Sequence, residues 1–330
     1  MTDDNPTSVD EVAARWLSIV QSDGASDHDL AMFETWLQES QAHKVAFDRL
    51  EGIFSDVSTL TDLKPLIDGV NNTTSEKKAI TAPFWGKWFW KPAALATVAM
   101  VAFAFFLVPA KQNIPEIERY ATIPAETRVH TLSDGTQMTL GAKSTAEIAF
   151  TDKERTLNLQ SGEAYFDVTS DVARPFRISA GSANIVVVGT AFAVTLINQD
   201  TFISVSEGIV SVSHEGQLEK PIRLIAGEAV RVEPDNNLME RSYLDLSKIA
   251  TWRQGRLVYD NASLEDVVAG LNRYLSRPVK LSPTLQDELT LTGSFQGSDS
   301  EVILRTIAEV HDLDVTPDID GIRKIQHKEK

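Results

Sequence analysis

The histidines and their acidic neighbours are the first residues in this 330-residue chain whose types could do chemistry. His130 stands near Asp134, and His311 is followed by Asp312 and Asp314, with serines available as nucleophiles. A hydrolytic relay would need its hydroxyl raised on a sharp turn. The sequence has neither a Gly-x-Ser-x-Gly elbow nor a glycine loop able to cradle phosphate. A histidine beside carboxylates in polar sequence is ordinarily a solvated surface site, so an enzyme is not the expectation. None of the six histidines forms a His-x-x-x-His pair. The absence of cysteine removes thiol nucleophiles, disulfides, thiolate zinc and iron-sulfur centres together. No metal and no cofactor is expected.

Charge narrows the partners. Lys and Arg number 31 against 47 Asp and Glu, a net charge of −16, which disfavours attraction to nucleic acid phosphate. Residues 1–70 carry many more acidic than basic side chains, so no direct nucleic acid contact is expected there. A membrane-anchored transcription regulator with a DNA-binding N-terminal domain remains the alternative, as does a cell-envelope anchoring protein.

The elements follow from periodicity. From Pro92 to Pro109, Thr97 is the only polar residue. A helix of about 20 residues spans the ~30 Å hydrocarbon core at ~1.5 Å per residue. Trp85, Trp88 and Trp90 fit an interfacial belt, and Lys87 and Lys91 are placed to reach head groups. A buried core helix is the competing reading, but such helices are rarely apolar on every face over this length. The lysines before the run outnumber the basic residues after it, which puts the N-terminus in the cytoplasm and the C-terminus in the periplasm.

Residues 1–70 read as a small all-α domain. One helix follows the capping box Ser8-Val-Asp-Glu11, a second follows Ser26, a third follows Ser40, and a weaker stretch runs from Leu60 to Val70. The aromatics Trp16, Phe33 and Trp36 could be plain core or could line a partner groove. Residues 71–91 read as a tether with a basic juxtamembrane end, 92–110 as the transmembrane helix and 111–118 as a linker. From 119 to 235 the period changes to 2, with strand runs separated by Asp134-Gly135, Ser161-Gly162, Ala180-Gly181, Glu207-Gly208, Glu215-Gly216 and Ala226-Gly227, predicting an all-β domain. A faint repeat around Gly162, Gly208 and Gly227 suggests a solenoid-like sandwich. Residues 236–330 read as an α+β domain, a doubled β-α-β with its helices on one sheet face. Its helices are capped at Ser263-Leu-Glu-Asp266 and Ser298-Asp-Ser-Glu301.

Those residues carry a family resemblance. Ala14-Arg15-Trp16-Leu17, Phe33-Glu-Thr-Trp36-Leu37 and Ser40-Gln-Ala-His43-Lys-Val-Ala-Phe47 resemble the cytoplasmic domain of FecR-type anti-sigma factors, inner-membrane regulators of iron-siderophore signalling. Leu132-Ser-Asp134-Gly135, Gly162-Glu-Ala-Tyr-Phe-Asp-Val168, Arg174-Pro-Phe176 and Val188-Gly-Thr-Ala-Phe192 resemble the signature of that family's β domain, with Ser133 where a proline is usual. The tail resembles the short N-terminal domain of secretins and TonB-dependent transducers. The resemblance implies two partners, an extracytoplasmic-function sigma factor in the cytoplasm and the signalling domain of a TonB-dependent outer-membrane transducer in the periplasm. The sigma factor is expected on Trp16, Leu17, Phe33 and Trp36, and the transducer on a sheet edge at Leu289–Phe295 or Ile319–Ile325.

Gly189-Thr190 resembles the junction at which some family members split by an N-to-O acyl shift. Thr190 supplies a hydroxyl next to a glycine carbonyl, and a strained turn would raise the energy of that peptide bond. A plain turn in which Gly189 relieves a φ constraint is the other reading.

Reporter fusions check the orientation. Alkaline phosphatase fused after residue 235 should be active and the same reporter fused after residue 75 inactive; activity at residue 75 reverses the topology.

Overall fold

Helix α1 (Val9–Val20) buries Ala13 and Leu17, the one-turn spacing that opens its apolar stripe. Helices α2 (Asp27–Glu39) and α3 (Gln41–Ser55) meet at Ser40, whose hydroxyl accepts from the Ala42 amide at 3.1 Å and so caps α3. Trp36, Ala46, Phe47 and Leu50 complete the buried set of these helices. The computed structural model describes residues 9–20, 27–55, 117–215, 217–234, 239–285, 289–317 and 322–328. The expected helix at 60–70, the tether and the apolar stretch at 92–110 lie outside these residues. Among the described residues, no helix is long and apolar enough to cross a membrane.

The β region is a sandwich of two seven-stranded sheets. The first runs in the order β1 (Ile117–Ala121), β4 (Thr145–Phe150), β5 (Arg155–Ser161), β7 (Phe176–Ala180), β8 (Ala183–Val187), β11 (Ile209–His214), β12 (Gln217–Ile225). The second runs β14 (Met239–Tyr243), β13 (Glu228–Val232), β10 (Asp200–Glu207), β9 (Ala191–Ile197), β6 (Glu163–Asp167), β3 (Gln137–Leu140), β2 (Arg128–Thr131). Alternate residues of each strand point inward, so Leu157, Leu159, Ile178, Ile185, Phe166, Phe192, Ile203 and Val230 share one core. Two strands escape the sequence reading. β1 begins inside the expected linker, and β14 lies beyond residue 235 yet closes the second sheet. Both are edge strands with mostly exposed side chains, which leaves no clean alternation to read.

The faint glycine repeat has a structural meaning. Gly162 turns the chain from β5 to β6, Gly208 from β10 to β11 and Gly227 from β12 to β13, each time carrying it from one sheet to the other. Their φ angles are +86°, +81° and +85°. At Gly162 a side chain is excluded twice, since a Cβ would also lie 2.5 Å from the Ser144 Cα.

Beyond β14 the chain forms an α+β module. Strand β15 (Arg256–Ser263) leads into helix α4 (Leu264–Leu271), whose first turn is capped by the Ser263 hydroxyl accepting from the Asp266 amide at 3.1 Å. Strands β16 (Val279–Leu281) and β17 (Thr290–Gln296), helix α5 (Ser300–Val310), and strands β18 (Leu313–Pro317) and β19 (Arg323–His327) follow. They make two small sheets, β15-β17 and β16-β19-β18, rather than one sheet face. Strand β19 is paired on both sides, so residues 323–325 of the expected Ile319–Ile325 edge are not free, while 319–321 lie outside the described residues; among the described strands β17 pairs only with β15. Nor does the Ser298 capping box form, because Gly297–Asp299 is a 3-10 turn and the Ser298 hydroxyl bonds Asp299 instead.

Candidate functional site

Period 2 places Arg155 on the same face of β5 as Leu157 and Leu159, and the structure buries its guanidinium completely. Its Nη1 donates to Asp134 Oδ2 at 2.8 Å and to the Thr169 carbonyl at 2.9 Å, and its Nε donates to the Arg174 carbonyl at 2.7 Å. Nη2 reaches the Asp171 and Val188 carbonyls at 3.4 and 3.5 Å. The Phe176 ring lies 5.5 Å from the Arg155 Cζ. Asp134 is itself held by the amide and hydroxyl of Thr136, at 2.9 and 2.8 Å.

The separate sequence signatures therefore converge. Asp134, the Arg174 carbonyl with Phe176, and the Val188 carbonyl all surround one arginine that none of them contains. Phe166 joins them from below, its ring 5.3 Å from Phe192 and 6.2 Å from Phe176. Arg155 itself escapes the sequence reading because, beside Lys153 and Glu154, it reads as solvated charge; only the strand register reveals it.

The Gly189-Thr190 peptide sits where β8 of the first sheet gives way to β9 of the second. Gly189 does not take a left-handed φ, so neither a strained left-handed turn nor a φ constraint explains it. The cause is close approach: a Cβ there would lie 2.8 Å from the Ser170 Cβ and 2.9 Å from its Cα. Gly208 approaches from the other side, where a Cβ would lie 3.1 Å from the Gly189 carbonyl oxygen and 3.2 Å from Thr190 Oγ1. The Thr190 hydroxyl is buried and donates to the Ile209 carbonyl at 3.0 Å. Ser170, Glu207 and Gly208 line a groove with this peptide, and no local sequence signal ties any of the three to the junction.

The histidine–carboxylate pairs weighed for an enzyme do not form. Asp134 is committed to Arg155 and Thr136, while His130 packs edge-on to Tyr120 at 4.6 Å. Burial and the nearby Arg128 push the His130 imidazole below its usual pKa, against the pull of Glu126. His311 ends α5, and Asp312 pairs with Lys328 at the surface.

The four expected sigma-binding residues divide. Leu17 and Trp36 are buried, and the Trp36 ring stacks on His43 at 4.5 Å with 6° between planes. Trp16 and Phe33 are half-buried, their rings 5.8 Å apart. Leu30, Met32 and Val45 are exposed apolar side chains in the same helices.

Glu163, from the Gly162–Val168 signature, faces out of the sandwich beneath the C-terminal module. Arg273 Nη1 donates to its Oε2 at 2.8 Å and the Tyr274 hydroxyl to its Oε1 at 3.3 Å. Burial pushes the Glu163 carboxyl above the usual carboxylate range, and Arg273 opposes that rise.

Breaking the central pair should be costly. Arg155→Met or Asp134→Asn should each destabilise the β sandwich by about 3–5 kcal/mol, because the surviving partner is left buried and uncompensated. The double variant should lose less than the sum of the two in chemical denaturation, which measures their coupling.

Two stretches of the chain match protein-family models. Residues 118–211 match the family model of the FecR protein, and residues 11–53 match a domain of unknown function, DUF4880. No curated protein sequence matches the chain. Two crystal structures of a candidate anti-sigma factor from Parabacteroides distasonis ATCC 8503 share the fold. One superposes with a TM-score of 0.58 at 23% identity, covering 65% of this chain and 100% of the other. The second gives 0.57 at 23% identity, covering 64% and 100%. The family model spans β1 to the middle of β11, so the stretch that holds Asp134, Arg155, Glu163 and Gly189-Thr190 is similar to the FecR protein family.

Proposed function

We propose that this chain is a single-pass anti-sigma factor of a bacterial inner membrane, with residues 1–70 in the cytoplasm, a span at 92–110 and the rest in the periplasm. It relays a signal from an outer-membrane TonB-dependent siderophore transducer to an extracytoplasmic-function sigma factor, and so controls transcription of iron-uptake genes. One observation carries this reading: the DUF4880 match at 11–53 and the FecR match at 118–211 lie on either side of a stretch apolar enough to span a bilayer. The free side of β17 supports the transducer contact, since an edge strand can accept a strand from a partner.

Trp16 and Phe33 are the aromatics that meet the sigma factor, because half-buried rings retain surface to bury on binding. Leu17 and Trp36 support that face from inside. Trp16→Ala should keep the helical circular dichroism and lose the sigma factor in co-purification from solubilised membranes. Trp36→Ala should lose helical signal too, at a cost of about 3–5 kcal/mol. Normal sigma retention by a folded Trp16→Ala variant counts against the docking face.

The reading includes self-cleavage at Gly189-Thr190. Thr190 Oγ1 adds to the Gly189 carbonyl carbon, the C–N bond breaks as the Thr190 nitrogen takes a proton, and water then hydrolyses the ester. The proton lost by the hydroxyl is the one that the departing Thr190 nitrogen gains, so the shift balances without an outside base. Wild type should run as two bands, with the larger-numbered piece starting at Thr190; Thr190→Ser should also split and Thr190→Ala should not. A single intact wild-type band in native membranes excludes the step.

A further inference from the structure

A break after Gly189 would divide the sandwich along a seam through both sheets. Strands β1–β8 fall on one side and β9–β14 on the other, so the first sheet is joined across the seam only by the β8–β11 ladder and the second only by β6–β9. The C-terminal module belongs to the second piece, yet it is anchored on both. At the start of α4, Asp266 receives Arg231 Nη1 from β13 at 3.1 Å. At the other end, Arg273 donates to Glu163 on β6 and, through Nη2, to the Leu196 carbonyl on β9 at 2.6 Å. The Ala125 amide donates to the Arg273 carbonyl at 3.1 Å, and Lys143 Nζ to the Asn272 carbonyl at 2.7 Å. Arg253 lies 3.5 Å over the ring of Tyr165, again on β6.

In the order β13-β10-β9-β6, helix α4 therefore reaches from the first strand to the last and crosses the seam between β9 and β6. We propose that α4 and its following turn, Asn272–Tyr274, are a clasp that holds the piece ending at Gly189 to the piece beginning at Thr190, so that a partner drawing the C-terminal module away opens the β6–β9 seam. Glu163, Ala125, Lys143 and Tyr165 all lie on the first piece, and their partners on the second, so the clasp does not depend on the continuity of the chain. The seam is taken from the proposed junction, but the clasp can be tested whether or not the junction splits by itself.

In the full chain, Arg273→Met and Glu163→Gln should each raise amide hydrogen exchange in β6 and β9 by about tenfold or more, while the β8–β11 ladder, which α4 does not cover, keeps its protection. Equal acceleration of both ladders, or of neither, overturns the clasp. Co-expressed residues 1–189 and 190–330 provide a second measurement. The wild-type pieces should co-purify from solubilised membranes, and Arg273→Met should release the first piece about tenfold faster. Failure of the wild-type pieces to associate, or an unchanged release rate, also overturns it. If Arg273→Met is not stably made, Tyr274→Phe and Lys143→Met each remove one contact and should shift release in the same direction by less; no shift counts against the clasp.

Discussion

A fully buried arginine can exist in this protein only because every direction its guanidinium faces has been filled. Taking such a charge out of water costs several kcal/mol, and the Asp134 carboxylate offsets that cost only with the help of the carbonyls of Thr169, Arg174, Asp171 and Val188. Lysine would not serve. Its ammonium has three donors on a flexible stem, whereas the planar guanidinium presents five donors in a fixed fork to partners spread around a ring. The consequence is a geometric constraint on irregular chain. Residues 169–174 and the bend at 188–190 belong to no ladder, and they are positioned because their carbonyls are needed by Arg155.

The second buried pair, Glu163 with Arg273, has a different task. Arg155 and Asp134 are both in the sandwich, but Glu163 and Arg273 come from different parts of the chain, 110 positions apart. Apolar contact alone would tolerate sliding of the C-terminal module over the sheet face. A desolvated ion pair tolerates very little, since any displacement leaves a charge buried without its partner. The module is thus held in register across four strands by ionic contacts at either end of α4.

The sandwich and the N-terminal helices differ in how much core holds them. The β sandwich derives its stability from a large core, while the helical unit has few buried side chains and depends on Trp36, Phe47 and Leu50. Small helical units of that kind are marginal alone and gain from a bound partner.

The range of each interaction sets how much of the fold and of the site is legible in the amino-acid sequence. Local signals suffice for the three N-terminal helices, for nearly all of the inner strands and for the glycine turns, because apolar period and φ tolerance are properties of neighbouring residues. They fail at β1 and β14, where edge strands bury too little to show alternation, and at Ser298, where a capping pattern loses to a tighter 3-10 turn. Asp134, Glu163, Arg174 and Gly189 stand out in sequence, but nothing in sequence says that they meet. Sequence by itself determined most of the helices, the inner strands and the glycine turns between them. Only the tertiary structure decided that Arg155 is their common centre, that Gly189 is required by Ser170 rather than by its own φ, and that Arg273 closes on Glu163. Each of these is a contact between residues far apart in the chain, set by sheet order and by how the sandwich turns its corners.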